Sequence, residues 1–202
     1  MLIHIHPDNP QPRLIKQVVE CLQSGGVIIY PTDTIYGLGC DIRQLKAIER
    51  ICKIKNVDPV KAQLTFICMD LSDMSEFTKS IDTPLYRMLK SYLPGPYTFI
   101  LPASKQVPKI LQSKKSTIGL RIPGNTICQH FLRDVGNPIL SASLPGEMVE
   151  EYTDPATIYE KFGHLVDLVI DGGFGGTVPS TIIDCTSKEW IITRQGLGEW
   201  AS

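Results

Sequence analysis

The stretch that decides the fold is Gly26-Val-Ile-Ile-Tyr-Pro-Thr-Asp-Thr-Ile-Tyr-Gly-Leu-Gly39. Its short apolar run, Val27 to Tyr30, predicts a fully buried strand. Pro31 ends that strand, because proline has no N–H to donate to a sheet ladder. Thr32, Asp33, Thr34 and Tyr36 then place four polar groups in five positions. Gly37 and Gly39 are expected to let the backbone bend tightly. Open α/β sheets bind ligands at such loops beyond the ends of buried strands. The competing expectation is an ordinary capped turn, and the density of polar groups favours a site.

Outward from this loop, strands and helices alternate. Residues 2–6 read as a short strand, and Asn9-Pro10 opens a helix that buries Leu14, Val18 and Leu22 and stops at Gly25-Gly26. A second helix is predicted over 43–55. Leu45, Ile48 and Cys52 form its apolar stripe, and Lys46, Arg50 and Lys53 share another face that leads to Lys55. Residues 56–63 form a polar connector. Further strands are predicted at 64–68, 97–101, 116–122, 138–143, 166–171, 180–185 and 190–194. Helices start near Asp70, Thr83-Pro84, Asn125 and Asp154-Pro155. The glycine-rich run 172–176 is not a dinucleotide fingerprint, since no helical pattern follows it, and reads as a flexible connection. No internal repeat, linker or low-complexity tract interrupts the chain, so residues 1–202 are expected to form a single domain.

Composition narrows the class. The 202 residues are 43% apolar and 20% charged, as in soluble globular proteins. No apolar run approaches the ~20 residues of a membrane span. Met1-Leu-Ile-His-Ile-His6 lacks the basic start and apolar core of a secretory signal. Six cysteines without a Cys-x-x-Cys pair point to reduced, buried thiols in the cytoplasm and away from zinc. Charge is uneven: residues 43–133 hold 15 Lys and Arg against 6 Asp and Glu, whereas 134–202 hold 3 against 11. A basic middle fits a surface for the phosphates of a nucleotide or of RNA, or simply lysine-rich helix faces.

No nucleophile elbow and no helical metal-binding histidine pair is present. His4 and His6 share one side of a strand but lack an evident third ligand. What recurs is a set of element ends carrying hydroxyls or cations: Thr32 and Thr34, Lys55, Arg121, Ser141 and Ser143, Ser180 and Thr181, and Arg194. Each alone reads as a turn residue. If they converge, they form a cleft for a phosphorylated ligand with a small carboxylate, which arginine matches geometrically. Such a site acts by positioning and charge stabilisation, as nucleotidyl transfer requires.

The run Pro31-Thr-Asp-Thr-Ile-Tyr-Gly-Leu-Gly-Cys-Asp41 resembles the signature of the YrdC/YciO family, the threonylcarbamoyl-adenylate synthases and their relatives. Further matches follow in order: Glu49-Arg-Ile-Cys-Lys-Ile-Lys55, Leu93-Pro-Gly-Pro-Tyr-Thr-Phe99, Gly119-Leu-Arg-Ile-Pro123, Leu140-Ser-Ala-Ser143, Pro179-Ser-Thr-Ile-Ile-Asp184 and Arg194-Gln-Gly196. Ile5-His-Pro-Asp-Asn-Pro-Gln11 is similar to the YciO branch. The resemblance implies an α/β fold: a YrdC-like twisted, mostly mixed or parallel sheet with flanking helices and a large basic concave cleft. It implies threonine, bicarbonate and ATP as substrates, with Mg²⁺ accompanying ATP, and a product that feeds threonylcarbamoyladenosine modification of tRNA. Thr32, Thr34, Tyr36, Arg121 and Ser180 would bind threonine, with Arg121 on its carboxylate. Lys53, Lys55, Ser141, Ser143 and Arg194 would bind the nucleotide (ATP or AMP), and Lys55 and Ser141 would be catalytic.

Two departures bear on activity. The synthases grip the triphosphate with a Lys-x-Arg and a Ser-x-Asn. Here Val57 follows Lys55 at that spacing, and Ser143 follows Ser141. Lys53 or Lys61 could stand in for the arginine. Two functions are therefore expected from the resemblance: a weakly active synthase, or a nucleotide- and double-stranded RNA-binding relative acting in RNA or ribosome maturation.

Overall fold

The run at 27–30 folds as expected, as strand β2 (Ile28–Tyr30), with every residue buried. The protein is described by a computed structural model over residues 1–58, 64–111, 116–146 and 152–200. The other strands are β1 (Leu2–His4), β3 (Gly37–Asp41), β4 (Thr65–Ile67), β5 (Tyr97–Pro102), β6 (Thr117–Arg121), β7 (Ile139–Ser143), β8 (Leu168–Asp171), β9 (Thr181–Asp184) and β10 (Ile191–Arg194). Together they form one mixed sheet in the order β1-β8-β2-β3-β7-β4-β6-β5-β9-β10.

Helices α1 (Pro12–Gln23), α2 (Leu45–Lys55), α3 (Leu71–Phe77), α4 (Thr83–Tyr92), α5 (Thr126–Val135) and α6 (Pro155–Phe162) flank the sheet. Side-chain carboxylate or amide oxygens of Asp70, Asp82, Asn125 and Asp154 accept from first-turn backbone N–H groups of α3 to α6. Helix α1 starts at Pro12 and not at Asn9-Pro10, because the backbone N–H groups of Asp8 and Asn9 donate to His6 Nδ1 and hold that segment in a turn. Helix α2 starts at Leu45, after Asp41 has accepted from Arg43 and Gln44 N–H groups. Its buried stripe is Ala47, Ile48, Ile51 and Cys52, and Leu45 faces outward. Among the described residues no helix is long and apolar enough to cross a membrane.

Alternation along each strand sorts side chains to two faces. Ile29, Leu38, Cys40, Phe66, Phe99, Leu120, Leu140 and Ile183 pack with α2, α3, α4 and α6 on one face. Ile3, Ile28, Tyr30, Ile67, Ile139 and Ile170 pack with α1 and α5 on the other. That second cluster contains no residue of β5, β6, β9 or β10. On this side the neighbouring strands carry instead a lateral row of small and hydroxyl residues, Gly39 beside Ser141, beside Thr65, beside Gly119. The helices thus cover half of this face, and the other half is left polar.

Gly37 and Gly39 do not bend the chain. They lie within β3, which runs antiparallel to β2 with Tyr30 opposite Gly37, so residues 31–36 close a hairpin. The reason for glycine is the ring of Tyr30. A Cβ on Gly39 would stand 2.8 Å from Tyr30 Cε1, and one on Gly37 would stand 3.2 Å from the same atom. Phe131 of α5 closes on the ring edge-to-face, with centroids 5.6 Å apart. Gly39→Ala should therefore destabilise the fold by about 1–3 kcal/mol through overpacking. A urea midpoint equal to that of the wild type would show that the ring has another place to go.

Candidate functional site

The 31–36 loop is held by its own hydroxyls. Thr32 Oγ1 donates to Ile35 O at 2.7 Å, accepts from Thr34 N at 3.0 Å, and lies 3.1 Å from Thr34 Oγ1. Threonines in this spacing cap a turn. The thiol of Cys128, on α5, donates to Pro31 O. From the other side comes the glycine run at 172–176. Tyr36 Oη donates to Gly173 O at 2.6 Å and accepts from Gly172 N, while Gly176 N donates to Thr34 O. A Cβ on Gly176 would be 2.5 Å from Thr34 O. The run is thus pinned against the loop, whereas the sequence suggested a flexible connection; its glycines serve close approach. Burial pushes the Tyr36 hydroxyl up to about 12, so it stays a neutral donor.

Within this frame Asp33 and Arg121 meet. Arg121 ends β6, only 7% exposed. Its Nη2 donates to Asp33 Oδ1 at 2.5 Å and to Thr34 Oγ1 at 2.8 Å. Arg121 Nε and Asp33 Oδ2 are buried without a hydrogen-bond partner. Each thus keeps one unfilled hydrogen-bonding position beside the Arg121–Asp33 ion pair, and unfilled buried donors and acceptors of this kind mark a site to test for a charged ligand.

A second cation stands close by. Arg194, on β10, donates through Nε and Nη2 to Ser180 O, and through Nη2 to Ser180 Oγ at 3.1 Å. Ser180 Oγ lies 2.9 Å from Thr98 Oγ1 on β5. Burial first, and then the like charge of Arg121, pull Arg194 below its ordinary pKa. Two guanidiniums that repel each other, with Asp33 as counter-ion to one of them, favour an anionic visitor. Ser141 is 8% exposed and accepts from Tyr30 Oη at 2.6 Å. Ser143, two residues on, stands opposite Gly37 and accepts from Lys55 Nζ, which also donates to Leu144 O. Burial lowers the Lys55 pKa.

Of the residues singled out in the sequence, the structure joins Thr32, Thr34 and Arg121 in one network, Ser180 and Arg194 in a second, and Lys55 with Ser143 in a third. Ser141 is bonded to Tyr30 and occupies the polar row of the sheet. Tyr36 is bonded into the 172–173 backbone. Lys53 is exposed, and its carbonyl accepts from the C-cap Asn56 N–H. Val57 is on the surface beyond the left-handed C-cap Asn56 of α2. Lys61 lies outside the described residues. Arg50, counted with the basic face of α2, is bound to Asp167 Oδ2 and Leu165 O.

Three participants had no assigned role in the sequence: Asp33, Thr98 and Tyr30. For Asp33 the signal was there, an acid between two threonines in a loop beside a basic segment. Thr98 and Tyr30 sit inside strands, where a hydroxyl gives no sign of which partner it will meet.

Comparison with known proteins adds to this geometry. Residues 20–196 match the Sua5/YciO/YrdC family model, described as telomere recombination. The uncharacterized protein YciO of Escherichia coli K12 is 46% identical over 199 residues, covering 97% of this chain and 95% of YciO. The crystal structure of E. coli YciO superposes with a TM-score of 0.91 at 44% identity, over 98% and 97% of the two chains. A threonylcarbamoyl-AMP synthase of Coxiella burnetii (strain RSA 493 / Nine Mile phase I) is 30% identical over 176 residues, or 87% and 94% of the chains. Sua5 of P. abyssi, crystallised with L-threonine, matches with a TM-score of 0.88 at 26% identity, over 97% of this chain and 57% of its own.

The buried ion pair yields a direct test. Asp33→Ala leaves the Arg121 charge enclosed without its partner, which should cost about 3–5 kcal/mol in urea unfolding. Arg121→Met added to Asp33→Ala should recover part of that loss. A single-variant loss below about 1 kcal/mol would mean that Arg121 reaches water.

Proposed function

The chain belongs to the Sua5/YciO/YrdC family, and from that premise we propose that it is a threonylcarbamoyl-AMP synthase of reduced activity. It would join threonine, bicarbonate and ATP and release pyrophosphate, with its product serving tRNA modification. The observation that carries this reading is the open pair at Arg121 Nε and Asp33 Oδ2, with Arg194 alongside. An amino acid brings both charges such a pair can take. Its carboxylate goes to the guanidinium and its amino group lies towards Asp33. Thr32 and Thr34 build the wall through the hydrogen bonds that fix the loop, and Tyr36 supports that wall from behind.

On the nucleotide side the reading assigns Ser141, Arg194 and Lys55. Once threonine and bicarbonate have given a carbamate, its oxygen attacks the α-phosphate of ATP and pyrophosphate leaves. Little covalent chemistry falls to the protein. Its task is to hold donors and positive charge where the phosphate oxygens gain charge. Lys55 is held on Ser143 and Leu144 O, and a triphosphate would draw it away from them. Among the described residues no group of three or more His, Cys, Asp or Glu side chains could hold a metal ion. Mg²⁺ therefore fits this chain as a companion of the triphosphate, with phosphate and water oxygens as its ligands, where it would supply positive charge.

Val57 and Ser143 account for the reduced rate. One charged donor is missing, and one amide is shortened to a hydroxyl that accepts from Lys55. Loss of one preorganised donor costs about 3 kcal/mol, or roughly a hundredfold in rate. The double-stranded RNA-binding reading leans on the basic middle segment. It is the weaker of the two, because Arg50 is engaged within the chain.

The test is threonine-dependent pyrophosphate release from ATP and bicarbonate. We expect slow but measurable release, and a gain of at least about tenfold in a Val57→Arg, Ser143→Asn double variant. Absence of release in both proteins, with a known synthase active alongside, would end the synthase reading. RNA binding that weakens steeply with salt would then support the other.

A further inference from the structure

Where the apolar half of this face meets its polar row lies one hydroxyl pair whose arrangement does more than satisfy buried atoms. Tyr30 is fully enclosed in the α1/α5 cluster, and its Oη donates to Ser141 Oγ at 2.6 Å. Among the described residues Ser141 is its hydrogen-bond partner. A phenol is a far stronger acid than an alkyl hydroxyl, so the shared proton belongs to the tyrosine side of the bond. Burial raises the phenol further above its ordinary pKa, and it keeps that proton at all working pH values. With its oxygen accepting from Tyr30, Ser141 has its own proton left to give.

The ring that delivers this bond cannot drift. Gly37 and Gly39 leave the slot in which it lies, and a Cβ at Gly39 would stand 2.8 Å from its edge. Phe131 stands against it edge-to-face. Ser141 itself is fixed by the ladder, opposite Gly39 on one side and Thr65 on the other. A slot of two glycines, one aromatic wall and two neighbouring strands thus set the position of a single oxygen. A fixed oxygen of this kind suits a donor aimed at a charge that develops nearby.

We propose that Tyr30 is a positioning residue for nucleotidyl transfer, which locks the Ser141 hydroxyl as a hydrogen-bond donor towards the nucleotide phosphate. This rests on the reading of the site given above. Tyr30 does not touch the ligand and acts only through Ser141. When Tyr30 is replaced by Phe, the ring still fills its slot, but Ser141 is free to turn and loses its fixed direction.

A double-mutant cycle tests this, with Tyr30→Phe, Ser141→Ala and the pair compared with the wild type. Thermal melting first establishes that each variant is folded. The pair removes both partners of the bond and leaves no buried hydroxyl unpaired, so it remains folded even where Ser141→Ala, which strands the enclosed Tyr30 hydroxyl, does not. Two readouts are taken: kcat and KM for threonine-dependent pyrophosphate release, and AMP affinity by isothermal titration. We expect Tyr30→Phe to lower kcat about tenfold with little change in KM, and Ser141→Ala to lower it as much or more. In the Ser141→Ala background, Tyr30→Phe should change neither readout more than about twofold. Equal effects of Tyr30→Phe in both backgrounds, or a Tyr30→Phe protein as active as the wild type, would overturn the proposal and leave the synthase reading intact. A wild type that binds AMP but releases no pyrophosphate would end the synthase reading, and the AMP cycle would then decide on Tyr30. A wild type without AMP binding or release would overturn both.

Discussion

A guanidinium enclosed at the end of a strand must be neutralised, and in this protein Asp33 does so for Arg121. The constraint reaches far. Arg121 belongs to β6, and Asp33 to the hairpin loop between β2 and β3, with β7 and β4 standing between them. The loop has to close an interval of three strand spacings, roughly 14 Å in a flat sheet. It can do so only if it is stiff, which explains why its hydroxyls face one another and why glycines at 172–176 back it so closely. Remove the ion pair and the loop loses its reason to lie over the sheet. Loosen the loop and the arginine is left with an uncompensated charge.

The two faces of the sheet solve opposite problems. One face is apolar from β8 across to β9 beneath four helices, and supplies the larger core. The other packs only against α1 and α5, and beside them runs the row Gly39, Ser141, Thr65 and Gly119. A half-bare sheet of this kind stays folded because its hydroxyls are paired: Tyr30 with Ser141, Thr98 with Ser180, and Ser180 in turn with Arg194. Both exceptions at the site, Arg121 Nε and Asp33 Oδ2, belong to the one buried ion pair and are of opposite polarity. The helix-covered part of this face and its polar row are thus one surface, divided by where two helices stop.

Much of this was legible in the chain itself. The strand at 27–30 and the helix caps at Asp70 and Asn125 follow from local chemistry, and the observed elements bear them out within a few residues. Thr34 meets Arg121, and Ser180 meets Arg194, where the sequence left open whether the polar element ends converge. What could not be read locally depended on partners distant in sequence. The glycines of β3 looked like bends because the ring that needs their space comes from another strand. Arg50 looked like a free cation because Asp167 is 117 residues away. The run at 172–176 looked slack because the backbone it packs against lies in the hairpin. In each case composition gave the residue's capacity, and only the fold gave its use.

The way the hairpin loop is backed has a consequence for how the protein comes into being. The bonds that steady residues 34 and 36 come from residues 172 to 176, and β2 itself leans on β8. During synthesis the loop leaves the ribosome long before its support does. An early fragment has the loop without the backbone groups that steady it. The geometry around residues 34 and 36 is completed only when the last third of the chain arrives. A ligand held there would therefore stabilise the whole fold by mass action.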